Sequence, residues 1–131
     1  MASNSRIGFV GVGRMGSNMA RRLKDKGYAI SAVHDCNSKG AESLARELSC
    51  EAASSPARVA ELCDVVLTVV SDDAAMHEIF LETSLNSLLA HAKGRLFINF
   101  ATVNPEVHVK VEALVERHGG TSLEALMASS I

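Results

Sequence analysis

Ile7-Gly8-Phe9-Val10-Gly11-Val12-Gly13-Arg14-Met15-Gly16 is the stretch on which the reading of this chain turns. A short apolar run, Ile7 to Val10, passes into a G-x-G-x-x-G. Met15, Met19 and Leu23 then recur at helical spacing, with Arg21, Arg22, Lys24 and Lys26 between and after them. Glycines in this pattern occur in many turns and carry little weight alone; between a strand and a helix each has a use. Gly11 permits the tight turn, Gly13 lets the backbone approach a pyrophosphate, and Gly16 lets the helix pack closely. The free N–H groups at the helix start, and its dipole, suit a diphosphate. Gly11, Val12, Gly13, Arg14, Met15 and Gly16 are therefore the expected cradle of a dinucleotide. The alternative is a glycine-rich turn without a ligand.

Working outward, the same alternation of apolar run and amphipathic stretch continues. Gly27 closes the first helix, and Ala29 to His34 reads as a second strand. Asp35 ends that strand about 20 residues after Gly16, where an acid accepts hydrogen bonds from the adenosine ribose hydroxyls. The competing role for Asp35 is to cap the helix at 38–48, whose apolar face is Ala41, Leu44, Ala45 and Leu48. Residues 50–53 read as a short third strand. Ser55-Pro56 is a cap followed by proline at the first helical position, and Val59, Leu62 and Cys63 give that helix its buried side. Val65 to Val70 is apolar on both faces, as a central parallel strand must be. Asp72 and Asp73 suit the start of the next helix. Leu96 to Phe100 is a fifth strand, and Asn104-Pro105 repeats the cap-then-proline signal. Val107, Val111, Leu114 and Val115 form that helix's stripe, Gly119-Gly120 ends it, and residues 122–127 read as a sixth strand. The expected fold is one α/β domain over residues 1–131, a Rossmann-like doubly wound parallel sheet of about six strands in the order 3-2-1-4-5-6.

Ligands of such sheets bind beyond the carboxyl ends of the strands. Val70, Ser71 and Asp72 follow the fourth strand, Ala101 and Thr102 the fifth, and Ala128, Ser129 and Ser130 the sixth. Val70, Ser71 and Thr102 are expected beside the cofactor, with Thr102 at the nicotinamide end. A β-branched residue leaving a strand is the plain alternative for Thr102.

Composition narrows the function classes. The chain has 131 residues, 47% apolar and 21% charged, which fits an ordinary globular domain. Thirteen basic against 15 acidic residues, net −2, argue against a nucleic-acid surface. The run Val65 to Val70 is far too short to span a membrane, and the first residues carry no signal core. Three cysteines without a CxxC pair point to reduced thiols in a cytosol-like, cytoplasmic setting.

Residues 7–23, with Gly11, Gly13 and Gly16 at their centre, closely resemble the opening of the β-hydroxyacid dehydrogenases. That group includes the 3-hydroxyisobutyrate, tartronate semialdehyde and 6-phosphogluconate dehydrogenases and the glyoxylate/succinic semialdehyde reductases. Ser54-Ser55-Pro56-Ala57 and Cys63-Asp64-Val65-Val66-Leu67-Thr68 look like the group's third and fourth strand region. Phe97 to Glu106 resembles its D-x-S-T-x-x-P-E segment. The resemblance runs from residue 6 to about 128. It implies a cofactor domain for NAD or NADP, with NAD preferred because Asp35 would face the 2′ position and Cys36 stands where NADP-using relatives often place arginine. It also implies a small hydroxyacid or aldehyde acid as the whole enzyme's substrate, and a possible homo-oligomer.

Two departures bear on that substrate. The family's serine before the threonine is Ala101 here, and D-A-P-V-S-G-G aligns with Glu124 to Ser130, so that Ala128, Ser129 and Ser130 replace its serine and glycines. Ser129 and Ser130 are the expected substrate donors. The family's catalytic lysine belongs to a helical second domain beyond the sixth strand, which residues 1–131 do not contain; Lys93 and Lys110 read as surface lysines, and no residue is assigned as catalytic. His34, His77, His91, His108 and His118 show no metal-ligand spacing and read as surface or helix-end residues, with His34 and Cys36 near the lip of the adenosine pocket. Three readings compete: the dinucleotide-binding half of a hydroxyacid dehydrogenase, a stand-alone module that senses cofactor, and a scaffold that has kept the fold without the ligand.

Overall fold

A computed structural model describes residues 4–125. In chain order the elements are β1 (Arg6–Val10), α1 (Arg14–Asp25), β2 (Ala29–His34), α2 (Ser38–Leu48), β3 (Glu51–Ala52), α3 (Pro56–Leu62), β4 (Val65–Thr68), α4 (Asp73–Ile79), a 3-10 turn (Leu88–His91), β5 (Leu96–Asn99), α5 (Pro105–Arg117) and β6 (Thr121–Glu124). The strands form one sheet in the order β3-β2-β1-β4-β5-β6, and every pairing is parallel. The doubly wound expectation holds, including the reversal of strand order at β1 and β4. Among the described residues no helix is long and apolar enough to cross a membrane.

Register decides where the strands end together. His34 pairs with Val10, Val10 with Thr68, Thr68 with Asn99, and Asn99 with Glu124. This row is the carboxyl edge of the sheet, and the residues that follow β1, β2, β4 and β5 (Gly11, Asp35, Val69 and Phe100) step out into one cleft. The strands close slightly earlier than the sequence indicates: β4 stops at Thr68 rather than Val70, and β5 at Asn99 rather than Phe100. Val69 and Phe100 each still donate one ladder bond, to Val10 O at 2.8 Å and Thr68 O at 2.9 Å, before the chain turns away. β6 runs from Thr121 to Glu124, so the expected strand at 122–127 is shifted, and its last two residues lie outside the described ones.

β4 is buried along its whole length because helices cover both faces. On one face Phe9 and Val33 of the sheet pack with Ala20 of α1 and Leu44 of α2. On the other Val66 and Phe97 pack with Val59 of α3, Met76 of α4 and Val111 of α5. Phe80 meets Phe97 edge to face at 5.6 Å between ring centres. Each of the larger buried side chains among them stabilises the fold by about 1.5–3 kcal/mol. One polar pair sits inside the second layer: Thr68 Oγ1 donates to Asn99 Oδ1 at 2.6 Å across the paired ends of β4 and β5. Such a buried pair is tolerated because the hydroxyl finds its acceptor.

Helix starts follow the sequence signals with one change of mechanism. Asn37 accepts from Gly40 N–H, Ser55 Oγ from Arg58 N–H, and Asp72 from Ala75 N–H. Asn104 stands at the cap position of α5, but its side chain makes no cap bond. Its amide donates instead to Asp73 Oδ2 at 2.7 Å, and its N–H to Asp73 Oδ1 at 3.2 Å. Asp73 thus ties the start of α4 to the loop after β5. The α1 stripe is also displaced: Gly16 and Ala20 are its buried residues, while Met15 is 45% exposed and leans over the cleft.

Candidate functional site

A cavity of about 840 Å³ opens at the carboxyl edge of the sheet. Gly11, Gly13, Arg14, Met15 and Gly16 line it from the first loop and α1, Asp35 from the end of β2, Val70 and Ser71 from the loop after β4, and Thr102 from the loop after β5. Nine residues singled out in the sequence are thereby brought to one cavity. Val12 is the exception. Its side chain is buried beneath α1 and α2, and its N–H already donates to Asp35 Oδ2 at 2.8 Å. Ser129 and Ser130 lie outside the described residues.

The three glycines of the loop answer to different constraints. Gly11 has φ +98°, and a Cβ there would collide with the Val69 carbonyl. A Cβ on Gly16 would collide with the Gly11 carbonyl, so this pair lets α1 sit against its own loop. Gly13 is different: a Cβ would meet no protein atom within 4 Å. Nothing in the chain itself demands glycine there, and the space it leaves belongs to the cavity.

Backbone donors converge on that space. The Gly11 N–H is spent on His34 O at 2.8 Å and Ser17 N–H on Gly13 O at 2.9 Å. Ser17 Oγ donates to Val12 O at 2.7 Å, which fixes the loop from within. Among the described residues the N–H groups of Arg14, Met15 and Gly16 have no backbone acceptor, as expected of a first helical turn. No acidic side chain occupies that turn. The arrangement favours an anion.

Asp35 is held at both oxygens. Oδ2 accepts from Val12 N–H and Oδ1 from Asn37 N–H, each at 2.8 Å. Asn37, not Asp35, caps α2, which removes the competing role for the carboxylate. His34 is tied by Nδ1 to Ala53 O at 2.9 Å, and Cys36 stands exposed at the rim. Burial pushes the Cys63 thiol, beneath α3 and away from the cavity, up to about 12.

The far wall has no counterpart in the sequence reading. Ala75, Glu78 and Ile79 of α4, Ser84 and Asn86 of the following segment, and Pro56 of α3 complete the cavity. His108 corrects the expectation of five surface histidines. It is 8% exposed, with Nε2 3.2 Å from Ala101 O and Nδ1 buried without a partner among the described residues. Leaving such an atom unbonded costs roughly 1–3 kcal/mol. Ala101 itself is buried. Among the described residues no group of three or more His, Cys, Asp or Glu could hold a metal ion.

Comparison with known proteins agrees with this geometry. The mouse protein named 3-hydroxyisobutyrate dehydrogenase, mitochondrial, is 30% identical over the whole chain, which covers 38% of that relative. Zebrafish cytokine-like nuclear factor N-PAC is 28% identical over 98% of the chain and 27% of its own length. The solved 3-hydroxyisobutyrate dehydrogenase of Mycobacterium tuberculosis, with L-serine, superposes with a TM-score of 0.82 at 28% identity, over 97% of this chain and 42% of that one. The chain thus spans about two fifths of the dehydrogenases it resembles. The family model described as the NAD binding domain of 6-phosphogluconate dehydrogenase matches residues 6–126, and the chain belongs to that family.

Proposed function

We propose that this domain binds a nicotinamide dinucleotide with its diphosphate on the N–H groups of Arg14, Met15 and Gly16. Its adenosine ribose lies against Asp35, and its nicotinamide half runs past Val70 and Ser71 towards Thr102. The observation that carries the reading is the open space at Gly13, bordered by unspent N–H groups of a helix whose first turn holds no acidic side chain. A dinucleotide fits the donor set: the first turn of α1 supplies donors for phosphate oxygens, and Asp35 supplies acceptors for ribose hydroxyls. NAD is preferred over NADP. Two backbone N–H bonds stop the Asp35 carboxylate from swinging away, so a 2′-phosphate would face a fixed negative charge.

In the larger oxidoreductase of which this domain forms the cofactor half, the dinucleotide exchanges hydride with a small hydroxyacid or its carbonyl partner. A helical domain beyond residue 131 supplies the proton-transferring lysine, and Ser129 and Ser130 contribute to the substrate wall. The free thiols of Cys36, Cys50 and Cys63 support a reducing, cytosol-like compartment. Calorimetric titration of the 131-residue chain with NAD, NADP and ADP tests the binding reading; no heat with any of the three overturns it. A second reading is a cofactor-sensing module without catalysis; one relative carries the name of a nuclear factor rather than of an enzyme. The downstream reading frame separates the two: a helical domain bearing a lysine favours the enzyme.

A further inference from the structure

His108 occupies the buried stripe of α5, in step with Val111 and Val115, where an aliphatic side chain would leave no orphaned nitrogen. The ring has one close partner. Nε2 lies 3.2 Å from the Ala101 carbonyl oxygen, with Glu124 Oε2 farther off at 3.7 Å. A carbonyl can only accept, so Nε2 carries a hydrogen and donates it. That bond fixes a single peptide unit, the one joining Ala101 to Thr102. The unit is trans and planar, so holding its oxygen towards His108 turns the Thr102 N–H to the opposite side. Thr102 lines the cavity, and its N–H has no backbone acceptor among the described residues.

We infer that His108 is a positioning residue for the nicotinamide half of the site: through the Ala101 carbonyl it presents the Thr102 N–H as a fixed donor to an amide oxygen of the bound dinucleotide. The inference rests on the dinucleotide reading above. It differs from a purely structural role because the effect is confined to one half of the ligand. ADP carries the adenosine and diphosphate but lacks the nicotinamide riboside, so it reports the other half alone.

Affinities of the 131-residue chain for NAD and ADP, measured for wild type, His108→Leu, His108→Asn and His108→Gln, test it. Glutamine places its Nε2 the same number of bonds from Cβ as the histidine Nε2 and can donate to Ala101 O; asparagine is one atom short. The leucine and asparagine variants should weaken NAD about fivefold, the fold-change of one ordinary hydrogen bond, with ADP within about twofold of wild type. The glutamine variant should restore NAD binding. If leucine does not fold, the asparagine and glutamine pair carries the same contrast. Unchanged NAD affinity in the asparagine variant, or equal loss of NAD and ADP, overturns the role of His108 while leaving the dinucleotide reading intact. A wild-type chain that binds neither ligand overturns both.

Discussion

The Val12 N–H donates to Asp35 Oδ2 at 2.8 Å, so the glycine loop and the end of β2 are one rigid unit. The bond joins residues 23 positions apart in the chain. It also sets the orientation of the carboxylate before any ligand arrives, since the other oxygen is held by Asn37. A carboxylate about 4 Å from one phosphate charge repels it by about 4 kcal/mol at an effective dielectric near 20. If screening leaves ~2 kcal/mol, NAD should bind ~30-fold more tightly than NADP. Asp35→Asn should bring the two affinities to within a few-fold of each other. The ratio is the measurement, because loosening of the loop affects both ligands alike; tighter NADP binding by wild type would refute the assignment.

Gly13 should separate binding from folding. Its φ of −68° is open to any residue, and a Cβ there meets nothing within 4 Å. Gly13→Val should therefore unfold within about 1 kcal/mol of wild type, the scale of an N-cap change, yet lose dinucleotide binding. Gly16→Val, which drives a side chain into the Gly11 carbonyl, should lose stability as well. Thermal melts and calorimetry on the same two variants check both halves. Retained affinity in Gly13→Val would show that the loop is not the phosphate site.

The near wall of the cavity was legible because its residues carry local signals: glycines at fixed offsets, an acid at a strand end, small polar residues where strands stop. The far wall was not. Glu78, Ile79, Ser84 and Asn86 face the cavity only because α4 and the segment after it fold back over the carboxyl edge, and nothing in their immediate sequence records that. Met15 carried two signals, membership of the expected cradle and a place on the helical stripe, and only the first describes its surroundings. Its spacing to Met19 is helical, but the close approach at Gly16 rotates the buried face of α1 towards Ala20. His108 did carry a signal, since its spacing to Val111 and Val115 places it on the apolar stripe. Asn104 carried a misleading one, because a cap residue's side chain can be captured by a neighbouring loop.

Thiol chemistry should report occupancy of the adenosine end. Cys36 is exposed at the cavity rim, Cys50 is half-buried with its thiol raised by burial, and burial pushes Cys63 up to about 12. The thiolate is the reactive form. Iodoacetamide at pH 8 should therefore modify Cys36 first and leave Cys63 untouched while the domain is folded. Saturating NAD should slow the Cys36 reaction several-fold, as read by mass spectrometry of the peptides. Equal rates with and without NAD would place the adenosine elsewhere.

Acid should weaken the start of β1. The Asp64 carboxylate accepts from the Arg6 guanidinium and from the Arg6 N–H at 2.9 Å, and these bonds hold its pKa below the usual carboxylate range. Stability from a depressed carboxylate is present above the unfolded value, about 3.9, and is lost as pH falls through the lower folded value. The pair is nearly half exposed, so solvent screens it and the contribution is small. Asp64→Asn should melt a few degrees below wild type at pH 7, with the gap closing below about pH 4. A gap that persists undiminished at pH 2 would show that packing, not charge, is responsible.

The 131-residue chain should not oxidise small hydroxyacids. Hydride removal from an alcohol needs a group that takes the hydroxyl proton as the carbonyl forms. Three carboxylates at the carboxyl edge are already engaged. Asp35 is held by two N–H groups, Asp72 caps α4, and Asp73 binds Asn104 through both oxygens. His108 is turned away into the α5 packing, with its Nε2 on Ala101 O. Glu78 remains as a cavity-lining carboxylate, on the α4 wall with Ala75 and Ile79 rather than on the loop that carries Thr102. Thr102 can orient a substrate but is a poor base unaided. Positioning alone can supply ~7–11 kcal/mol of a barrier, and an open cleft that admits water forgoes most of it. NADH absorbance with NAD and a panel of small 3-hydroxyacids should show no sustained turnover. Turnover near that of an intact dehydrogenase would overturn this expectation. Its loss in Glu78→Gln would identify the base, and its survival there would mean a catalytic group elsewhere in residues 1–131.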